Sequence, residues 1–146
     1  MPSVLVVCVG NICRSPIAEG LLRRDVAALT VSSAGLHAVV GHGVQSEMAT
    51  LGESAGLTLS THRARQFTPV MGAENDLILV MERAHRDEIS HIAPHLLGRT
   101  MLFDHWLGAK GIADPYRMGQ AAYERSFAEI LNASKSWVTR LAKWSK

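Results

Sequence analysis

The stretch Val4-Leu5-Val6-Val7-Cys8-Val9-Gly10-Asn11-Ile12-Cys13-Arg14-Ser15-Pro16 decides how this chain folds. Val4 to Val9 is continuously apolar and mostly β-branched, the pattern of a strand covered on both faces of a parallel sheet. Gly10 to Arg14 reads as a loop. Ser15 followed by Pro16 then reads as an N-cap with proline at the first helical position. Ala18, Leu22, Val26 and Leu29 recur at near-helical spacing along one face. A strand that passes through a glycine-bearing loop into a helix N-terminus aims several backbone N–H groups inward, which makes a concave anion site.

Working outward, a short second strand is expected from Thr30 to Ser33, ended by Gly35. Gln45 to Ala55 reads as a helix stopped by Gly56. Leu77-Ile78-Leu79-Val80-Met81 is the next buried strand, Arg83 to Ile92 a helix, and Thr100 to Phe103 a fourth strand. A last helix runs from about Gly119 to Lys143, with Phe127, Ile130, Leu131, Val138 and Leu141 as its apolar face. Strands alternating with helices imply right-handed βαβ units. The expected fold is therefore α/β: a four-stranded, doubly wound parallel sheet with helices on both faces. Ligands in such sheets bind beyond the carboxyl ends of the strands, which points at the loop after Val9. With no internal repeat, low-complexity tract or linker, residues 1–146 are expected to form a single domain.

Composition narrows the function. A formal charge of +2, from 15 Lys and Arg against 13 Asp and Glu, is too slight for an electrostatic nucleic-acid binder. Eleven of the basic residues are Arg and four are Lys, a lean toward planar anion recognition. Two cysteines, Cys8 and Cys13, make neither a disulfide scaffold nor a zinc finger. The seven histidines show no metal-binding spacing, since His91 and His95 straddle Pro94. Neither metal nor cofactor is expected. The Val4–Val9 run is too short to span a bilayer and lacks a basic lead, so the expected address is the cytoplasm, without stable membrane association. Trp106, Trp137 and Trp144 are expected in or near the core. Arg23, Arg24 and Arg63 read as solvated charges.

The loop itself suggests chemistry. Arg14 can clamp an anion with its planar guanidinium. Cys8 would sit at the base of the cradle, where the inward field stabilises thiolate over thiol. A thiolate below a bound phosphate is a phosphoryl-transfer site that needs no metal. The loop lacks the Gly-Lys-Ser/Thr ending of a nucleotide P-loop and the three glycines of a dinucleotide fingerprint. The bland alternative makes Cys8 a small buried hydrophobe and Ser15 a plain helix cap. The Ser15 hydroxyl has two readings, capping the helix or steadying the sulfur. Phosphoryl transfer gains from a general acid that protonates the departing oxygen, and Asp114, stiffened by Pro115, is a candidate as well as an ordinary turn residue.

These residues resemble the low-molecular-weight protein tyrosine phosphatases. The likeness is carried by Val7-Cys8-Val9-Gly10-Asn11-Ile12-Cys13-Arg14-Ser15-Pro16 and by Asp114-Pro115-Tyr116 near the C-terminus. It extends to Ser33-Ala34-Gly35, His62-Arg63-Ala64-Arg65-Gln66 and Asp76 to Met81. Gly41-His42 and His105-Trp106-Leu107 look most like the bacterial branch associated with exopolysaccharide and capsule production. The resemblance implies Cys8 as nucleophile, Arg14 as phosphate clamp and Asp114 as acid and later base. It implies phosphate binding by the backbone of Val9, Gly10, Asn11, Ile12, Cys13 and Ser15, and a left-handed Asn11 held by Ser15, Ser33 and His62. Tyr116 would line the cleft, Arg65 would brace the loop, and Cys13 would serve as a redox partner for Cys8.

Two departures stand out. Mammalian members carry a second aromatic where this chain has Arg117, and their aromatic opposite wall is aliphatic here, around Val39 and Val40. The implied partner is a phosphotyrosine protein, such as an autophosphorylating bacterial tyrosine kinase, met by a monomer or weak dimer. Two other functions compete. An arsenate reductase of the same fold would need relay cysteines after Cys13, and there are none. A catalytically silent phosphotyrosine-binding module would have no need to keep Cys8, Arg14 and Asp114 together.

Overall fold

The computed structural model describes residues 2–144. The strand opening the chain, β1 (Ser3–Cys8), leads into α1 (Arg14–Asp25) and β2 (Thr30–Gly35). Next come α2 (Ser46–Ser54), α3 (Pro69–Ala73), β3 (Leu77–Val80) and α4 (Arg83–Ile92). The chain closes with β4 (Thr100–Leu102) and the long α5 (Gln120–Trp144). Short 3₁₀ turns at Pro94–Arg99 and His105–Leu107, like α3, have no counterpart among the elements expected from sequence. All strand pairs are parallel and the sheet order is β2-β1-β3-β4.

The alternation of side chains along β1 explains the two layers. Val4, Val6 and Cys8 face the layer of α1 and α5, joined by Leu79 and Met81. Leu5 and Val7 face the opposite layer with Ile78, Val80, Phe67, Ile89 and Leu96. Val4 to Val7 are fully buried, and each such side chain stabilises the fold by about 1.5–3 kcal/mol relative to exposure. The connections run outward from β1 in one direction and from β3 in the other. A crevice therefore opens between the carboxyl ends of these two neighbours, the place where open α/β sheets bind ligands.

Three local expectations are corrected. Helix α1 starts at Arg14, its N-cap is Cys13, and no side chain caps it; Ser15 is not the cap. Asn11 takes φ of 60°, which tightens the loop so that the helix begins earlier. Gly35 does not end β2 but belongs to it, paired with Cys8. A Cβ there would lie 2.4 Å from the Val9 carbonyl oxygen, so only glycine permits this approach. In α5 the buried stripe is Tyr123, Ser126, Ile130, Ala133, Ser134, Trp137 and Leu141, whereas Phe127, Leu131 and Val138 pack at its edge. The small residues of this stripe are invisible to a search for apolar bulk.

Of the three tryptophans only Trp137 is buried, its indole N–H donating to the Phe103 carbonyl at 2.7 Å. Trp106 and Trp144 are exposed, contrary to the core placement expected of them. Trp106 lies edge-on to Trp137 and under the Arg140 guanidinium, 3.9 Å from the ring centre. Arg23 is also more than a solvated charge, since it pairs with Glu19 and donates to the Val31 carbonyl. Among the described residues no helix is long and apolar enough to cross a membrane.

Candidate active site

The loop between β1 and α1 is held open by anchors outside it. The carbonyls of Cys8, Val9, Gly10 and Ile12 accept from the backbone N–H groups of Leu36, His37, Val39 and Gln45. The His62 ring bonds the Asn11 carbonyl at 2.7 Å. A trans peptide sets each carbonyl against the N–H of the next residue. Pinning these carbonyls outward therefore turns the N–H groups of residues 9–13 toward the loop interior.

Asn11 organises the back of the loop. Its Nδ2 donates to Ser15 Oγ at 2.8 Å and to Ser33 Oγ at 3.0 Å, and its Oδ1 accepts the Arg65 N–H. Ser33 in turn donates to Glu19 at 2.5 Å, and Arg65 Nε donates to the Ser33 carbonyl. These partners make a left-handed asparagine tolerable, and no residue with a longer or apolar side chain supplies the same bonds. Ser15 Oγ, having accepted from Asn11, lies 2.9 Å from Cys8 Sγ with its own proton free for the sulfur. The Ser15 hydroxyl steadies the sulfur rather than the helix.

Arg14 is 1% exposed. Its Nη1 donates to Glu82 Oε2 at 2.6 Å and to the Ile112 carbonyl at 2.7 Å, and its Nη2 lies 3.9 Å from Asp114 Oδ2. Its Nε is buried without a partner. A buried charged donor left unfilled is costly, and an anion in the loop would meet that need.

A cleft of about 200 Å³ opens over the loop. Its walls bring together Cys8, Val9, Gly10, Ile12, Cys13, Arg14, Asp114 and Tyr116, all expected at the site from sequence, with Val39 and His37. Asn11, Ser15, Ser33 and His62 stand behind the loop, where a larger polar cavity of about 260 Å³ runs past Ser33, His62 and Glu19 and does not reach Cys8. Val40 is exposed and does not line the cleft, so Val39 alone supplies the aliphatic wall expected of the pair. Asp114 is exposed, and its Oδ1 accepts the Tyr116 N–H at 3.1 Å. The Arg117 guanidinium stacks 5.2 Å from the centre of the Tyr116 ring, and the Arg117 N–H donates to the Tyr123 hydroxyl.

Burial pushes the Cys13 thiol up to about 12, with the neighbouring Cys8 and Asp114 adding to the effect. Burial and the adjacent Arg14 hold His85 below its usual value of 6.5. Among the described residues no group of three or more His, Cys, Asp or Glu side chains is arranged for a metal ion.

Glu82, Glu19, His85 and His37 are site residues that the sequence does not single out. One signal exists for Glu82 and His85. They follow β3, whose carboxyl end flanks β1, so the first polar residues after it have to lie at the crevice.

The fold and the loop thus define an α/β domain suited to holding an oxyanion beside a thiol. The chain matches the low molecular weight phosphotyrosine protein phosphatase family over residues 3–146. It is 44% identical over 141 residues to the low molecular weight protein-tyrosine-phosphatase Etp of Escherichia coli K12, covering 97% of this chain and 95% of that one. It is also 44% identical over 138 residues to Wzb of Salmonella typhimurium, covering 94% and 93%. The tyrosine phosphatase Wzb from Escherichia coli K30, solved with sulphate, superposes with a TM-score of 0.92 at 46% identity, covering 95% of this chain and 97% of that one. Vibrio vulnificus Wzb with benzylphosphonate gives 0.92 at 36% identity, covering 95% and 98%. The chain belongs to the low molecular weight protein tyrosine phosphatases. Within them it falls with the bacterial, exopolysaccharide-associated branch of Wzb and Etp, and it is a protein-tyrosine phosphatase.

Proposed function

We propose that residues 1–146 act as one domain that hydrolyses phosphotyrosine through a cysteinyl-phosphate intermediate. One observation carries this reading: Cys8, Arg14 and Asp114 line a single cleft. The Cys8 thiolate attacks phosphorus and forms an S–P bond as the P–O bond to the phenol breaks. Asp114 gives its proton to the departing phenolate, help worth about 10²–10⁴-fold. A water molecule then attacks phosphorus and passes its proton to Asp114; the S–P bond breaks, phosphate leaves and the thiolate returns. Arg14 and the inward amides of residues 9–15 meet the charge on the equatorial oxygens throughout.

Tyr116 and Val39 would flank the phenol ring, and Arg117 on the rim favours acidic residues beside the phosphotyrosine. Cys13 guards the nucleophile. If Cys8 is oxidised to sulfenic acid, condensation with the Cys13 thiol gives a disulfide and one water. Likeness to Wzb and Etp supports an autophosphorylated tyrosine kinase linked to exopolysaccharide production as substrate, met in the cytoplasm by a monomer or weak dimer. The test is Cys8→Ser, expected to abolish hydrolysis of p-nitrophenyl phosphate, with Asp114→Asn slowing phosphotyrosine peptide turnover about 10²–10⁴-fold. Hydrolysis by Cys8→Ser would refute the covalent route.

A further inference from the structure

Arg14 Nη1 is held by Glu82 and by the Ile112 carbonyl, and of these two anchors Glu82 is a half-exposed carboxylate at the start of α4. A free glutamate at a surface samples many rotamers, at a cost in entropy whenever one is selected. Here its conformation is chosen by His85, one helical turn on. The Glu82 side chain accepts the backbone N–H of His85, and His85 Nδ1 accepts the backbone N–H of Glu82 at 3.2 Å. This is a reciprocal cap in which histidine replaces the usual Glu or Gln at the third position.

The cap also sets the tautomer. Because Nδ1 accepts, it carries no proton, and the neutral ring bears its hydrogen on Nε2. That atom lies 3.4 Å from Glu82 Oε2, the same oxygen that receives Arg14 Nη1 at 2.6 Å. His85 is itself buried, so its ring is held by packing.

We propose that neutral His85 is a positioning residue for phosphate binding, holding Glu82 against Arg14, and that its protonation loosens this hold. The inference rests on the reading of Arg14 as the phosphate clamp. Protonation places a hydrogen on Nδ1, which then opposes the Glu82 N–H instead of accepting it, and the cationic ring competes with Arg14 for Oε2. The charged groups facing His85 come from three elements: Arg14 on α1, Glu82 and Glu88 at α4, and Asp114 on the loop before α5. The three carboxylates favour the cation, whereas burial and Arg14 oppose it and prevail.

Inorganic phosphate is the probe, its dissociation constant measured by calorimetry at pH 7.5 and 5.5 alongside kcat/KM. His85→Ala is expected to weaken phosphate binding and lower kcat/KM about 10-fold at pH 7.5, the scale of a small misplacement of a reacting group. His85→Gln offers an acceptor and a donor at similar reach, and is expected to stay within about threefold of the parent protein. On acidification the parent protein should lose affinity relative to His85→Gln, a ratio in which the ionisation of phosphate itself cancels. In a Glu82→Gln background, His85→Ala should add little, because the two act as one unit.

Unchanged phosphate affinity in His85→Ala, equal pH dependence in the parent and His85→Gln, or a full effect of His85→Ala without Glu82 would each overturn the proposal. If His85→Ala does not fold, the parent against His85→Gln comparison decides. A parent protein that binds phosphate but leaves phosphotyrosine intact would refute the proposed function, and the phosphate measurements would still judge His85.

Discussion

Ser15 Oγ lies 2.9 Å from Cys8 Sγ while accepting a hydrogen bond from Asn11 Nδ2 at 2.8 Å. A thiolate sulfur can only accept, so with Cys8 ionised the Ser15 hydroxyl donates to it while accepting from Asn11. A hydrogen bond to a charged group contributes about 1.5–3 kcal/mol. Ser15→Ala is therefore expected to lower kcat for phosphotyrosine peptides by about 10–100-fold, since about 1.4 kcal/mol is tenfold. Its effect should be larger on breakdown of the proposed cysteinyl-phosphate intermediate, where sulfur departs. Rapid-mixing kinetics with p-nitrophenyl phosphate would show this as a burst of p-nitrophenol, and a parent-like kcat without a burst would contradict it.

Asn11 combines a left-handed backbone with four polar contacts, and two substitutions separate these roles. Asn11→Gly keeps the backbone and loses the side-chain bonds. Asn11→Ala loses both, at an additional cost of about 1 kcal/mol for a Cβ in that region. Urea denaturation should rank the proteins Asn11, then Gly, then Ala in falling stability, and both variants should bind phosphate more weakly. An alanine variant as stable as the glycine variant would show that the backbone strain is relieved by loop movement.

Stability should depend on pH through His85. Its folded-state value is lowered from 6.5, so between the two values the unfolded chain binds more protons than the folded one. This contribution is fully present above pH 6.5 and is lost as pH falls from there toward the folded value. Denaturant midpoints at pH 7.5 and 5.5 should thus fall further in the parent protein than in His85→Gln. Parallel losses in the two would remove His85 from the acid response.

Cys13 remains a thiol across the ordinary pH range, because burial raises it to about 12. Iodoacetamide at pH 8 is expected to label Cys8 and leave Cys13 unmodified, read by peptide mass spectrometry. After mild peroxide, disulfide formation between them should speed up with rising pH, as the attacking thiol needs to ionise. Preferential labelling of Cys13, or Cys8 reaching sulfinic acid while Cys13 stays reduced, would end the protective role.

Much of the fold and the site is legible in the amino-acid sequence. A buried β-branched run, a glycine-bearing loop and a proline-started helix are local signals, and they place β1, the anion loop and the start of α1 within a residue or two, whereas the apolar spacing runs on to Leu29 and α1 ends at Asp25. The alternation of strands and helices yields the parallel sheet, since periodicity and chain chirality act through near neighbours in sequence. Cys8, Arg14 and Asp114 are also legible as chemistry, through their residue types and a resemblance across the chain. The early start of α1 is not, because it follows from the tight turn at Asn11, which depends on donors and acceptors as remote as Ser33, His62 and Arg65. Nor is the inward stripe of α5, where Ser126, Ala133 and Ser134 are buried without apolar bulk.

Local sequence therefore specifies the loop between β1 and α1 and the Cys8 and Arg14 side chains at its two ends. Tertiary packing specifies how those groups are held. Glu82 meets Arg14 across 68 positions of sequence, His85 meets Glu82 only once α4 has formed, and the carbonyl of Ile112 arrives from beyond β4. Such contacts arise when β3 pairs beside β1 and delivers its carboxyl end to the crevice. No pattern within a short window encodes that juxtaposition, because hydrogen-bond partners are chosen by distance in space, and distance in space is set by the sheet order.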